Sequence, residues 1–282
     1  MKKIVVTGGS GKAGRAIVRD LLAHGYEVLN VDVVAPAPAE KLCPLLLADL
    51  TNYGETVEVL AGAWGVVHMA AIPADNRFAP ERTFRENTLS TFNVFQAAAL
   101  LKLQRVVWAS SETTLGLPFA KVQPAVAPID EMHYPFPEST YSLSKVVGET
   151  MAEQFARWSG VPFVGLRFSN VMEPHDYTGR FPTWQADPMI RKWNLWGYID
   201  ARDAAQSARR GLEAAITGSE NFIIAAADTV MRTPNAELLA AVFQGTRLAP
   251  GKGANETLLG IGKARRLLGF APEYSWRDAV AG

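Results

Sequence analysis

Apolar and polar positions change period along this chain in a regular order. Ile4-Val5-Val6 is a short β-branched run, read as a buried strand. A helical pattern follows from about Gly11 to Ala23. Ala16, Ile17, Leu21 and Leu22 lie on its inner side, and Gly25 is placed to end it. Residues 27–34 read as a second strand, 45–50 as a third and 65–71 as a fourth, with a helix near 55–61. Residues 84–101 form a long helical pattern. Its apolar positions (Leu89, Phe92, Val94, Phe95, Ala98, Leu101) cover more than one face, as in a helix that is sandwiched or meets a second copy. Arg105 to Ser111 is a fifth strand. A proline-rich loop (Pro124, Pro128, Pro135, Pro137) leads to Ser139, an N-cap for a helix carrying Tyr141 and Lys145. Residues 161–168 are a sixth strand. This alternation predicts an α/β fold built on a doubly wound parallel sheet.

The bulk composition narrows the class. A chain of 282 residues, 48% hydrophobic, can build one large core with a smaller appendage. Lys plus Arg is 28 and Asp plus Glu is 28, so neither nucleic acid nor an anionic membrane is an expected partner. Cys43 is the single cysteine and reads as a small hydrophobe. The apolar run after Met1-Lys-Lys ends at Thr7-Gly8-Gly9, too short for an export signal. No apolar run approaches the ~18 residues of a membrane span. The expectation is a cytoplasmic, soluble protein.

The chemistry begins at the first turn. Gly8, Gly11 and Gly14 lie between a strand and a helix, and a second strand ends in Asp32. Glycines let backbone approach phosphate, and a helix start offers free N–H groups at a positive dipole end. A carboxylate at Asp32 can accept both hydroxyls of an adenosine ribose and would repel a 2′-phosphate, so NAD is expected rather than NADP. Asp49, ending the third strand, could bond an adenine amino group. Ala70 and Ala71 would let a cofactor lie against the backbone. Ser110 and Ser111 end the fifth strand on the same edge. Tyr141 and Lys145 are four residues apart and share a helix face. A phenol titrates near ~10. Work near neutrality needs a drop of about three units, or roughly 4 kcal/mol, more than one lysine supplies. A second positive charge is therefore implied. His68, inside an apolar run, reads as a core histidine; His175 reads as a loop residue.

Taken together, these pieces resemble the extended short-chain dehydrogenase/reductases, the NAD-dependent epimerase/dehydratase family with a Rossmann-type sheet. The resemblance rests on Thr7–Gly14, His68–Ala71, Asn87, Ser111 before Gly116, Tyr141 with Lys145, Leu166–Val171, Tyr198–Ala205 and Lys263–Pro272. It implies Ser111, Tyr141 and Lys145 as the catalytic set. It implies NAD contacts from Gly8, Ser10, Gly11, Lys12, Ala13, Gly14, Asp32, Asp49, Leu50, Ala70, Ala71, Asn87, Tyr141 and Lys145, and no metal. It implies a phenolate at Tyr141 that takes a substrate proton, with the nicotinamide as the missing positive charge. Residues 1–171, with 198–216 returning, would form the NAD-binding domain; 172–197 and 217–282 would form a small substrate-binding region. A homodimer is expected through the helices around Asn87 and Tyr141, with Phe92, Phe95, Val146, Met151 and Phe155 on outer faces.

The reaction is narrowed by departures from the family pattern. Dehydratases carry Asp-Glu after the catalytic hydroxyl residue; here Glu112-Thr113 stands there. Nucleotide-sugar epimerases carry a long insertion after the sixth strand; here the stretch from Arg167 to Tyr198 is short. That stretch is similar to uronate dehydrogenases, in which an arginine holds the sugar carboxylate, which would assign Arg180. Their Asn-His after the serine is Glu112-Thr113 here. Substrate contacts are expected from Ser111, Glu112, Thr113, Asn170 and Arg180. Trp184, Trp193 and Trp196 could stack on a sugar, though packing is the plainer reading. The expected activity is NAD-dependent oxidation of a sugar or sugar acid. Epimerisation of a UDP-sugar through a keto intermediate is the second reading, and a non-catalytic NAD sensor the third.

Overall fold

The computed structural model describes residues 1–117, 119 and 122–280. Seven strands, β1 (Lys3–Thr7), β2 (Glu27–Asp32), β3 (Leu45–Leu47), β4 (Gly65–His68), β5 (Arg105–Ser111), β6 (Phe163–Phe168) and β7 (Ser219–Ile224), form one sheet in the order β3-β2-β1-β4-β5-β6-β7. Every pairing in it is parallel. The strand order reverses between β1 and β4, the switch point at which such sheets bind ligands.

Alternation along the strands splits the core in two. Val5, Val66, Val106, Trp108 and Phe163 face one side. There they meet α2 (Tyr53–Leu60), α3 (Pro80–Leu100) and α4 (Thr140–Ser159) through Val59, Leu60, Phe95, Ala152 and Phe155. Ile4, Val6, Val67, Val107 and Val164 face the other, against α1 (Lys12–Ala23) and, once the small helices α5 (Pro174–Gly179) and α6 (Phe181–Ala186) have been passed, α7 (Ala201–Glu213). Both faces are covered, which is why the strands read as apolar runs rather than alternating ones.

Three strands stop earlier than the sequence pattern suggests. The second strand ends at Asp32, because its carboxylate accepts the Val33 and Val34 N–H groups and turns the chain outward. The third ends at Leu47; it is the sheet edge, and Leu46 and Leu47 are exposed. The fourth ends at His68 rather than Ala71.

Part of the C-terminal segment joins the sheet. Residues 219–224, expected in the small region, form β7 beside β6. The remaining helices, α8 (Asn235–Val242), α9 (Gly262–Leu268) and α10 (Trp276–Val280), bury Leu239, Ala264, Leu268 and Trp276 in the same core as Ile4 and Val107. Residues 171–172 pair with 199–200, which brings the substrate segment back to the sheet. On α3 and α4, Phe95 and Phe155 are fully packed against the sheet, contrary to the outer placement expected of them; Leu89, Phe92, Leu100, Leu143 and Trp158 are the large apolar residues left exposed. No helix among the described residues is long and apolar enough to cross a membrane.

Candidate active site

The glycine turn is closed to side chains. Gly8 has φ +66, and a Cβ there would sit 2.6 Å from the Ala70 nitrogen; one on Gly14 would sit 2.7 Å from Gly9 Cα. Turn, helix start and the exit of β4 therefore touch backbone to backbone, which only glycine permits. Gly11 is the N-cap of α1, with no side-chain cap and no acidic residue in the first turn. The helix N–H groups are thus free for an anion. Asp32 Oδ2 accepts the Ser10 N–H at 3.0 Å, which fixes this carboxylate beside the turn. A cradle no Cβ can enter, an uncapped helix start and an oriented acid fit the pyrophosphate and ribose of a dinucleotide.

Other residues of the expected cofactor set are engaged elsewhere. Lys12 Nζ lies 2.6 Å from Asp176, tying the turn to the substrate segment. Asp49 accepts from Thr51 N and Thr51 Oγ1 at 2.9 and 2.8 Å, a turn ahead of α2. The Leu50 side chain is buried in the core under α2 and α3. The Asn87 carboxamide brackets Ile72, accepting from its N–H at 2.7 Å and donating to its carbonyl at 3.1 Å. It holds the segment that carries Ala70 and Ala71 in place.

Tyr141 and Lys145 enter on the first turns of α4. Ser139 caps that helix and Ser142 completes the capping box. Lys145 is buried; its Nζ donates to Ala109 O at 2.8 Å and lies 5.7 Å from the Tyr141 ring centre. Burial brings the ammonium down to about 8. The Tyr141 phenol is pushed up to about 12, chiefly by burial and further by the Glu112 and Asp75 carboxylates, with a hydrogen bond from Ser111 opposing. The protein alone therefore holds the phenol protonated. The positive charge that the spacing argument required is all the more necessary.

Ser111 is the best-defined of the set. Its Oγ accepts from Thr113 Oγ1 at 2.9 Å and from Thr113 N at 3.2 Å. A hydroxyl has two acceptor sites and one proton, so both acceptors are filled and the proton is left to donate. Strand alternation turns Ser110 the other way, where its Oγ donates to Glu149 at 2.6 Å.

Glu112 is turned inward, not toward a substrate as expected. It accepts from Ser169 Oγ at 2.6 Å and Asn194 Nδ2 at 3.1 Å, with the Asn170 N–H and the Arg191 charge adding to these. Burial still pushes its carboxyl up to about 7. It pins the end of β5 to the segment after β6 and to residues 191–197. Asn170 takes part through its backbone. The Arg180 side chain is 62% exposed, and its Nε lies 2.8 Å from the buried Asp176. Arg191 is buried, its guanidinium between Trp184 and Trp193 at 4.4 and 4.5 Å from the ring centres. Trp196 is a core residue.

His68 bonds Thr7 and Thr91 inside the core, and burial brings it down to about 3. His175 is on the surface. Among the described residues no cluster of three or more His, Cys, Asp or Glu could hold a metal ion.

Two groups escaped the sequence reading. Glu149, one turn beyond Lys145 on the same helix face, holds Arg167 through two bonds of 2.8 Å. That spacing from Lys145 was a usable signal. Asp75 carried none; it reaches Tyr141 N at 3.1 Å only through the course of the loop after β4.

Comparison with known proteins agrees with this geometry. The model of the NAD dependent epimerase/dehydratase family matches residues 4–211, and the chain belongs to that family. A putative UDP-glucose 4-epimerase of Methanocaldococcus jannaschii is 30% identical over 60% of this chain and 55% of its own length, so the chain spans little more than half of that relative. A uronate dehydrogenase of Agrobacterium fabrum is 28% identical over 65% of this chain and 67% of its own. A crystal structure of UDP-galactose 4-epimerase superposes with a TM-score of 0.72 at 27% identity, covering 99% of this chain and 96% of that one.

Proposed function

We propose that this member of the NAD dependent epimerase/dehydratase family is an NAD-dependent dehydrogenase that oxidises a secondary or hemiacetal hydroxyl of a sugar. The carrying observation is that Ser111, Tyr141 and Lys145 meet at the edge of the sheet that bears the glycine cradle and Asp32. Bound NAD would supply the hydride acceptor and a positively charged ring. The Tyr141 phenolate takes the proton of the substrate hydroxyl, and the Ser111 proton hydrogen-bonds the same oxygen as it becomes a carbonyl. Lys145 keeps a buried ammonium beside the phenol. Gly8, Gly11 and Gly14 hold the pyrophosphate and Asp32 the ribose. Ala70 and Ala71 flank the cofactor, with Asn87 fixing their segment.

The inward Glu112 and the absence of an acid at Thr113 speak against water elimination. Epimerisation of a UDP-sugar stays as the second reading, favoured by the full-length likeness to a UDP-galactose 4-epimerase. Purified protein is mixed with NAD and a panel of aldoses, uronates and UDP-sugars. Growth of the reduced-nicotinamide band marks a dehydrogenase. Interconversion of UDP-sugars without net reduction would replace this reading with the epimerase. NAD binding with no turnover of any sugar would leave a sensor. We further propose a cytoplasmic homodimer joined through the exposed Leu89, Phe92, Leu143 and Trp158 of α3 and α4. Sedimentation as a monomer would rule that out.

A further inference from the structure

The charges around the Tyr141 phenol do not suit a second negative group. Asp75 and Glu112 are the two carboxylates whose fields reach it. Glu112 is buried and its oxygens are taken by Ser169 and Asn194. Asp75 differs. It is half-buried on the loop after β4, and its Oδ1 accepts the Tyr141 N–H at 3.1 Å. Its Oδ2 makes no hydrogen bond among the described residues. A carboxylate oxygen beside the reacting phenol, held by the backbone of the same helix and still free, is an acceptor awaiting a donor. A sugar hydroxyl is such a donor; a sugar carboxylate at that place would be repelled.

Five cations that would offset this have partners. Arg180 and Lys12 both pair with the buried Asp176. Arg191 is enclosed by two tryptophans with Glu112 beside it. Arg167 is paired with Glu149. Lys145 donates to Ala109 O.

We propose that Asp75 is a substrate-binding residue that accepts the hydroxyl on the terminal carbon of an aldose, the carbon that is a carboxylate in the corresponding uronate, and that the site thereby selects the neutral sugar. This rests on the dehydrogenase reading and names its substrate class.

The test uses matched pairs that differ only at the terminal carbon, glucose with glucuronate and galactose with galacturonate, each with NAD and the whole chain. The neutral member is expected to have a kcat/KM at least about tenfold higher. Asp75→Asn keeps an oxygen for the Tyr141 N–H, so the helix start survives, as a thermal melt will check. In that variant KM for the aldose should rise about tenfold with kcat changed far less, and the aldose-to-uronate ratio should fall. A uronate preferred by the wild-type protein would overturn the proposal, as would a ratio unmoved in Asp75→Asn. Arg77, on the same loop, is exposed; uronate oxidation that is lost in Arg77→Ala would also overturn it. In each of those cases NADH still forms and the dehydrogenase reading stands. No NADH from any sugar, with UDP-sugars interconverted, would remove both.

Discussion

Glu112→Gln isolates one buried charge. The Glu112 carboxyl is 2% exposed and titrates at about 7, against an ordinary 4.5, because burial outweighs its three hydrogen-bond donors and the Arg191 charge. A gap of that size corresponds to about 3 kcal/mol. The folded pKa is raised, so the folded protein holds this proton where the unfolded chain has released it. The contribution is complete below about pH 4.5 and is lost as pH rises through 7. Glutamine cannot titrate, yet it can still donate to Ser169 and accept from Asn194. Urea unfolding, followed by tryptophan fluorescence at about pH 5, 6, 7 and 8, would give the stability of both proteins. Other titrating groups cancel in the difference. Relative to Glu112→Gln, the wild-type protein should lose about 3 kcal/mol between the acid and alkaline ends of that range. Parallel curves would refute the reasoning, for they would mean that Glu112 ionises as it does in water and does not bridge β5, the segment after β6 and residues 191–197.

Three further outcomes follow from the same geometry. Tyr141→Phe removes the proton acceptor but no group of the glycine cradle. Turnover should fall at least ~10³-fold in the reduced-nicotinamide assay, while NAD affinity measured by calorimetry changes little. Gly14→Ala puts a methyl against Gly9 Cα where nothing can yield, so NAD titration should show binding lost or a melt lowered by a misplaced turn. Glu149→Ala leaves Arg167 buried and unpaired. A stability loss of about 3–5 kcal/mol is expected in urea, and a loss under about 1 kcal/mol would show the pair to be solvated.

Much of this protein is legible along its chain because much of it is local. The β-branched runs at 4–6 and 106–107, the helix inside 12–23 and the Ser139 cap each depend on a few neighbouring residues, and each appears where the period places it. Gly8, Asp32, Ser111, Tyr141 and Lys145 are legible for a related reason: each sits at a fixed offset from a strand end or helix start, and the parallel sheet brings those ends to one edge. Strand ends at Asp32 and His68 were less so, since what stops them is a turn bond in one case and the loss of a pairing partner in the other.

The sequence by itself determined the sheet, the glycine turn and the placing of Tyr141 and Lys145 on one helix. Only the tertiary structure decided which charges face the Tyr141 phenol. Glu112 and Arg180 look alike in sequence as polar residues near a site. Yet one is drawn inward by Ser169, Asn170 and Asn194, from two distant segments, while the other pairs with Asp176 only four residues away. Where Glu112 points depends on partners far away in the chain, because the cost of burying a charge is met only by donors or counter-charges that folding brings together. Asp75 became visible for the same reason, through a loop whose course no local pattern sets.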